Sequence, residues 1–285
     1  MYENLILQEF ELNALIACEI EFYLEPCPTR NSDQEKDFLA KLLLEFSKTN
    51  IKIHRLDKEV TEGQFEISLT PQKPNIAINE INWTKEFISK TAKDEGYQAI
   101  FEAKPLQDLP GSGLHIHISL VDNSGISALK RIDEKTESET MLYAIGGLCD
   151  TMLKNFIYFA PNENSYLRFT SDRNNHKQAN PMVSHNNAPV NVSWGGNNRT
   201  TAIRIPASTI DENSRHIEHR VAGADANPAD VINKILEGVY LGLKEKIIPP
   251  QKIYGNAYDK QYQAELQPFP KTLSEALKLS KKFMN

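Results

Sequence analysis

The segment from Leu114 to Leu120 restricts the fold more than any other part of this sequence. Apolar side chains occupy every second position, and His115, His117 and Ser119 stand between them. A period of two predicts a β-strand with one buried face, and the Gly-Ser-Gly at 111–113 lets backbone approach a neighbouring group closely. Taken alone, a strand with two imidazoles on its polar face fits a solvent-exposed surface as well as a binding site.

Three further segments alternate in the same way, and each places charged side chains on one face. They are residues 15–24, 64–69 and 215–221. Two carboxylates side by side on a strand repel each other unless a cation or an arginine lies between them. With Glu59, which precedes a turn at Gly63, these polar faces carry Glu19, Glu21, Glu66, His115, His117, Glu218 and Arg220.

This collection of side chains predicts a metal site. An ordinary solvated sheet face mixes Thr, Ser, Lys and Arg with Glu, whereas these faces hold five glutamates and no lysine. Clustered carboxylates raise each other's pKa values and repel, and a divalent cation removes that repulsion. Carboxylate oxygens with few imidazoles suit Mg²⁺ or Mn²⁺ better than Zn²⁺. The alternative is a plain polar surface without a ligand.

The order of predicted elements indicates an α+β fold. Several strands follow one another directly, so we expect a curved, mostly antiparallel sheet backed by helices. A chain of 285 residues with 40% hydrophobic residues supports one large domain over residues 1–285. We expect helices at 35–49, 80–95, 139–159, 228–246 and 272–283, a loop at 160–187, and a hairpin between 190–194 and 200–206.

Composition and charge argue against several partners. The net charge of −6 does not favour a nucleic acid or an anionic membrane, and no apolar run reaches the ~20 residues of a membrane helix. The first eleven residues carry three glutamates and no basic region, which is unlike a signal peptide. Three scattered cysteines are typical of reduced thiols, so we expect a cytoplasmic protein.

The charged motifs also occur in an order that resembles a known family. They are Glu-x-Glu-Phe at 19–22, Glu59 with Gly-Gln-Phe-Glu at 63–66, Gly-Ser-Gly-Leu-His-Ile-His-Ile-Ser-Leu at 111–120, Asn-Ser-Tyr-Leu-Arg at 164–168, the arginine segment 198–206, and Arg-His-Ile-Glu-His-Arg at 215–220. Together they resemble the catalytic domain of the glutamine synthetase family, including its γ-glutamylpolyamine synthetase relatives. The resemblance covers about residues 15–243 and is weaker over 270–279. It implies the glutamine synthetase and guanido kinase type of catalytic fold.

The resemblance implies an ATP-dependent glutamate–amine ligase. Members of the family phosphorylate the γ-carboxylate of glutamate with ATP, and ammonia or an amine then displaces the phosphate from the γ-glutamyl phosphate. ATP would be the co-substrate, with two or more Mg²⁺ or Mn²⁺ ions. By resemblance, Glu21, Glu59 and Glu66 would hold one ion, and Glu19, His115 and Glu218 would hold the other.

The resemblance also implies roles for a glycine and several arginines. Arg168, Arg199 and Arg220 would be catalytic, and Gly111, Arg168 and Arg220 would bind glutamate. His117, Ser119, Arg199, Arg204 and Arg215 would bind the nucleotide. For Arg199 and Arg204 alone, a purely structural role in salt bridges is an equal alternative.

The sequence departs from the family pattern in three places. The Glu-x-Glu strand begins within the first twenty residues, so we expect no N-terminal β-grasp domain; a homo-oligomer stays open, but the family's ring is in question. The helical tail is short, and the flap segment at 170–185 is long. Asn187 stands where glutamine synthetases keep a glutamate for ammonium, so we expect an acceptor other than ammonia, with Asp172 and Glu163 as the nearby carboxylates.

Two other functional classes are compatible with this sequence. The chain is also compatible with a non-catalytic relative that binds nucleotide or glutamate, and with a cupin-like metal oxygenase built on a His-x-His strand. Because metal ligands on a strand face contribute little to packing, we expect His115→Ala or Glu218→Ala to abolish phosphoryl transfer and leave the fold intact.

Overall fold

One open sheet of eight strands organises the molecule. The computed structural model describes residues 2–134, 136–169, 188–207 and 211–282. Its strands are β1 (Asn13–Glu25), β2 (Ile53–Lys58), β3 (Gln64–Gln72), β4 (Gln98–Ile100), β5 (Leu114–Val121), β6 (Trp194–Gly195), β7 (Ile203–Arg204) and β8 (Ile217–His219). They lie in the order β2-β3-β1-β5-β8-β7-β6, and β4 pairs with β1. Every pairing is antiparallel except that of β6 with β7, which confirms the predicted sheet.

Helices cover one side of this sheet. They are α1 (Tyr2–Phe10), α2 (Asp33–Phe46), α3 (Pro74–Asp94), α4 (Glu139–Met152), α5 (Phe156–Phe159), α6 (Pro228–Glu245), α7 (Lys260–Gln263) and α8 (Leu273–Lys282), with 3-10 helices at Glu163–Phe169 and Glu212–Ser214. Side-chain caps fix several starts: the side chain of Ser32 accepts from the backbone N–H of Glu35, and that of Ser138 from the N–H of Met141. In the part of the chain that the structure describes, no helix is long and apolar enough to cross a membrane.

The predicted hairpin after residue 190 is wrong. Trp194 pairs with Ile203 in parallel, so the chain does not fold straight back on itself. The intervening loop is held elsewhere, because the side-chain amide of Asn198 donates to the carbonyl of Gly255 at 2.8 Å and its oxygen accepts from the N–H of Thr200 at 3.0 Å. These side-chain bonds replace the tight turn that the Gly-Gly-Asn-Asn sequence favours.

Three predicted boundaries also change. The helix expected over 139–159 breaks between Met152 and Phe156, where the buried side chain of Asn155 donates to Glu237 at 3.3 Å. Helix α3 begins at Pro74, a residue well suited to a first helical turn. The loop expected over 160–187 contains the 3-10 helix of residues 163–169, and its remainder at 170–187 lies outside the described residues.

The two faces of the sheet are therefore different in kind. Along β1, side chains alternate regularly, and Ile16, Cys18, Ile20 and Phe22 are buried in the core with the helices. The other face carries Glu19 and the remaining polar side chains of the predicted site. Burial of one face fixes the strand register, since a slip of one residue would turn the carboxylates into the core.

Candidate active site

Strand pairing brings the predicted ligands together. Glu19 lies opposite His115 across β1 and β5, and Glu21 lies opposite Glu66 across β1 and β3. On the far side of β5, His117 lies opposite Glu218 on β8. Directly opposed residues of neighbouring strands have Cβ atoms about 5 Å apart. Four strands thus converge on one polar patch.

The distances within this patch are short. The imidazole Nδ1 of His115 lies 3.2 Å from Oε2 of Glu19 and 3.7 Å from Oε1 of Glu218. The Nε2 of His117 lies 3.3 Å from Oε1 of Glu19. The backbone N–H of Gly113 donates to Oε2 of Glu21 at 2.7 Å. Glu19 is therefore shared between both imidazoles, and Glu21 is oriented by the backbone just before β5.

Among the described residues, three overlapping groups of side chains could hold a cation. Within each group, one ligand atom per residue lies within 4.8 Å of the others. Glu21, Glu59 and Glu66 form a group that coincides with one predicted ligand set. The other two groups are Glu19 with Glu66 and His115, and Glu19 with His117 and Glu218, so the second predicted set is divided between them. This donor set of carboxylates with one or two imidazoles fits Mg²⁺ or Mn²⁺.

The carboxylates of the patch differ strongly in proton affinity. Burial, together with the like charges of Glu19, Glu21 and Glu59, raises the pKa of Glu66 to about 9. Burial and the charge of Glu21 also raise the pKa of Glu59. A bound cation would deprotonate the carboxyl of Glu66, because the cation replaces the proton as the compensating charge. The residues present therefore fit a divalent ion.

Glu218 is compensated by arginines instead. Its side chain is fully buried and forms ion pairs with the guanidinium groups of Arg204 and Arg220. Burial favours the neutral acid, but the charge of Arg220 outweighs it, and the pKa of Glu218 falls to about 2. Asn197 holds Arg204 in turn, accepting from its Nε at 3.0 Å. The structure contradicts the expectation that Glu218 contributes little to packing.

The guanidinium of Arg168 lies against backbone carbonyls. Its side chain is 3% exposed, and its Nη1 donates to the carbonyl of Val221 at 2.8 Å. Its Nη2 lies 3.2 Å from the carbonyl of Arg220 and 3.5 Å from Nε2 of His115. Burial lowers the pKa of Arg168 to about 10. The guanidinium is thus set beside the imidazole of a predicted metal ligand.

The glycines before β5 are required by this packing. A Cβ on Gly111 would lie 2.3 Å from the carbonyl oxygen of Ala103 and 2.9 Å from Cγ of Arg168. A Cβ on Gly113 would lie 2.5 Å from Nε2 of His115. The close approach expected from the Gly-Ser-Gly sequence is confirmed.

One predicted nucleotide contact lies away from the patch. Arg215 is 2% exposed, its Nε donates to the carbonyl of Leu129 at 3.2 Å, and its Nη2 pairs with Glu137. Arg215 lies an even number of residues before Ile217 and His219, whose side chains are buried, and an odd number before Glu218. The interpretation of Arg215 as a phosphate ligand is not supported by this placement, and sequence alternation already contained the reason.

The other predicted nucleotide residues lie nearer to the carboxylates. His117 and Ser119 share a face of β5 with His115, and the exposed Arg199 is close enough to Glu59 for its charge to oppose the raised pKa of that group. The ring of His216 lies 5.0 Å from that of His117. The alternation of residues 215–221 already places His216 on the face of Glu218, yet the predicted site omits it.

Comparison with known proteins decides the family. Residues 21–283 match the family model described as "Glutamine synthetase, catalytic domain". The chain belongs to the glutamine synthetase family. The cupin-like alternative is wrong, because the sheet is open and the chain belongs to the glutamine synthetase family.

Individual relatives of the glutamine synthetase family are moderately similar. The chain is 36% identical to the gamma-glutamylputrescine synthetase of Escherichia coli (strain K12) over 221 residues, which are 77% of this chain and 42% of the relative. It is 29% identical to the glutamine synthetase of Thermococcus kodakarensis over 255 residues, 88% of this chain and 53% of the relative. The chain thus spans about half the length of these curated relatives.

A solved structure supports the same fold. The structure titled "GmaS/ADP complex-Conformation 1" superposes with a TM-score of 0.83 at 22% sequence identity, over 99% of this chain and 66% of that one. A second structure, titled "Apo GmaS without ligand", gives a TM-score of 0.82 at the same identity. The α+β catalytic-domain fold expected from the motifs is confirmed.

Two polar residues near the patch had no signal in the sequence. Asp57 lies opposite Glu66 in β2 and pairs with Arg55, although β2 shows no clear alternation. Asp225 lies after β8 and bonds to side chains of the segment that leads to Arg168. Asp225 depends on contacts with residues at least sixty positions away, which a local pattern cannot reveal.

Proposed function

We propose that this chain catalyses ATP-dependent ligation of glutamate to an amine through a γ-glutamyl phosphate. The observation that carries the proposal is the convergence of three overlapping carboxylate and imidazole groups beside buried arginines on one sheet face. A cluster with so many like charges is unfavourable unless cations compensate it. Family membership makes phosphoryl transfer from ATP the reaction that uses such cations.

Each part of the patch has a proposed role. Glu21, Glu59 and Glu66 would hold one Mg²⁺ or Mn²⁺, and Glu19, His115 and Glu218 would hold another. What the ions supply is neutralisation of charge on the phosphate and carboxylate oxygens. Arg168, Arg220 and the backbone at Gly111 would bind glutamate, with Arg199 at the phosphoryl group. His117, Ser119, Arg199 and Arg204 would line the nucleotide side. Arg215, which pairs with Glu137, would support that side without contacting the phosphates.

The acceptor amine is proposed to be larger than ammonia. The name of the Escherichia coli relative refers to putrescine, a diamine. Asn187 and Asp172, to which the sequence points, lie outside the described residues. Glu163 is described, but its carboxylate lies 3.5 Å from the backbone N–H of Leu273, where it caps the start of α8. The choice of acceptor therefore rests on the sequence and on the relative.

Domain organisation and cellular setting are also proposals. Residues 1–285 would form a single catalytic domain, and this domain is compatible with a homo-oligomer. Free cysteines at positions 18, 27 and 149 favour a reducing compartment such as the cytoplasm. Small-molecule substrates are the proposed partners, and the acidic net charge does not favour nucleic acid.

The test is ADP release that depends on glutamate. The purified chain is assayed with ATP, Mg²⁺ or Mn²⁺ and glutamate, and hydroxylamine serves as a small nucleophile that traps the acyl phosphate as a hydroxamate. We expect ADP and γ-glutamyl hydroxamate in equal amounts. His115→Ala is the matched variant, and its turnover is expected to be lost.

Two outcomes would contradict the proposal. ADP release that is the same with and without glutamate would mean that phosphoryl transfer to the γ-carboxylate does not occur. Calorimetric binding of ATP and glutamate without any turnover would support the non-catalytic alternative instead.

A further inference from the structure

The carboxylate of Asp225 joins two separate parts of the candidate active site. Its Oδ2 accepts from Oγ of Ser165 at 2.6 Å and from Nδ2 of Asn162 at 3.0 Å. These two residues also bond to each other, because the N–H of Asn162 donates to Oγ of Ser165 at 3.1 Å and the N–H of Ser165 donates to the carbonyl of Asn162 at 3.0 Å. Asp225 thus holds the turn that opens the 3-10 helix Glu163–Phe169.

That helix is attached to the same segment a second time, through Arg168. The guanidinium donates to carbonyls of residues 220–222, only a few residues before Asp225. The segment is firmly placed, since the N–H of Leu114 donates to the carbonyl of Ala222 at 2.9 Å and the N–H of Ala224 donates to that of Ser112 at 3.0 Å. Losing the Asp225 attachment would free the opening turn of the helix at residues 162 and 165, while Asn164 would still donate to the carbonyl of Lys104 at 3.0 Å.

The carboxylate of Asp225 also acts on Arg168 through its charge. Burial disfavours the charged guanidinium of Arg168, and the carboxylates of Glu21 and Asp225 favour it. Glu21 belongs to a proposed cation group, where a bound ion would take up its charge. Asp225 lies outside those groups, and its buried Oδ1 has no hydrogen-bond partner among the described residues. Asp225 therefore favours the charged guanidinium of Arg168 from outside the proposed cation groups.

We propose that Asp225 is a positioning residue for Arg168, holding the guanidinium beside His115 in the place where it meets the glutamate substrate. The identity of that substrate rests on the proposed function, whereas the positioning is a property of the fold. An arginine set by two attachments to one segment has little freedom, and small displacements of a substrate-binding group reduce turnover strongly.

The kinetic test is a double-mutant cycle of Asp225→Ala and Arg168→Lys. We expect Asp225→Ala to raise KM for glutamate about fivefold or more, with KM for ATP changed less than about twofold. In the Arg168→Lys background the same change should have little further effect, because its partner is already altered. Glu237→Gln is the matched control, since its carboxylate is similarly bonded to Asn155 and Lys234 but lies among α4 and α6. Fully additive effects in the cycle would overturn the proposal.

A structural test does not depend on turnover. Crystal structures of the wild type and Asp225→Ala are compared at the bond between Nη1 of Arg168 and the carbonyl of Val221. Loss of this bond in the variant supports positioning, and an unchanged guanidinium overturns it. If Asp225→Ala does not fold, Ser165→Ala gives the same comparison, because it removes the 2.6 Å bond to Oδ2 of Asp225. A wild type without glutamate turnover refutes the proposed function alone, because this comparison still decides the role of Asp225.

Discussion

Two carboxylates of this patch have opposite electrostatic surroundings. Glu218 is surrounded by arginines and is stabilised as an anion, whereas Glu66 faces other carboxylates and is stabilised as a neutral acid. Both residues are proposed metal ligands, but in the metal-free protein the pKa of Glu66 is raised and that of Glu218 is lowered. Their substitutions should therefore change stability in opposite directions.

Glu66→Gln should stabilise the metal-free protein at neutral and alkaline pH. The folded pKa of about 9 exceeds the value of about 4.3 in an unfolded chain, so the folded state binds more protons between these pH values. Stability of the wild type must then fall as pH rises through this window. Glutamine carries no charge, so the variant should gain at least ~2 °C in Tm at pH 8 in the presence of a chelator.

Calorimetric scans from pH 6 to 9 with EDTA measure this effect. Glu237→Gln is the control, because the lysines at 154 and 234 lower the pKa of Glu237 despite its burial, and its loss should not stabilise. A variant Glu66→Gln that melts below the wild type at pH 8 would show that carboxylate repulsion does not govern the stability of this patch. Added Mn²⁺ should stabilise the wild type more than the variant.

Glu218→Ala should destabilise the protein as well as remove activity. The change leaves Arg204 and Arg220 buried without their carboxylate, and breaking such a buried pair costs about 3–5 kcal/mol. The folded pKa of about 2 lies below the unfolded value, so the contribution of Glu218 is present above about pH 4.3 and is lost as pH falls. Urea unfolding at pH 7 with EDTA measures the loss, and a change below ~1 kcal/mol would contradict it.

At the level of elements, the sequence predicts the strands and helices that bury one face. The alternation of β1, β3 and β5 follows from burial on the helix side, so their carboxylates and imidazoles can be placed on a common face from the sequence alone. The helices α2 and α6 start at capping side chains that can be read directly. Register then determines which ligands are opposite one another.

Elements that depend on distant contacts cannot be predicted in this way. The parallel pairing of β6 with β7 is accompanied by a bond from Asn198 to the carbonyl of Gly255, more than fifty residues away. The break between α4 and α5 coincides with a buried bond from Asn155 to Glu237. The role expected for Arg215 follows from family resemblance, whereas its buried contacts with Leu129 and Glu137 place it away from the other nucleotide candidates.

Gly111→Ala should disturb the junction that leads into β5. Its Cβ would come within 2.3 Å of the Ala103 carbonyl oxygen, which is backbone and cannot easily move. Overpacking of this kind costs about 1–3 kcal/mol, and displacement of Arg168 should reduce turnover further. Gly196→Ala is the matched control, because its Cβ would meet only Cε of Lys252 at 3.8 Å among the described atoms. Equal unfolding free energies of the two variants would contradict the expectation.

For the whole molecule, the described residues contain the groups proposed for phosphoryl transfer but not those proposed to bind the acceptor amine. The metal-ligand candidates come from four strands and the Glu59 loop, so cation binding would tie together most of the sheet. Binding to the folded state alone stabilises it in proportion to the logarithm of ligand concentration. The chain spans only about half of its curated relatives, which leaves acceptor selection as the property least determined by these residues.

Acceptor preference is therefore the prediction for the whole molecule. Asn187 has an amide, which cannot supply the negative charge that holds ammonium or accept its proton. Glu163 lies at the start of α8, where its carboxylate accepts from the backbone N–H of Leu273 at 3.5 Å. A diamine such as putrescine can be held by its carbon chain and its second charge, and we expect its kcat/KM to exceed that of ammonium about tenfold or more. Steady-state ADP release with each amine measures this ratio. Asn187→Glu should raise kcat/KM for ammonium selectively, and a wild type that uses ammonium as well as putrescine would contradict the prediction.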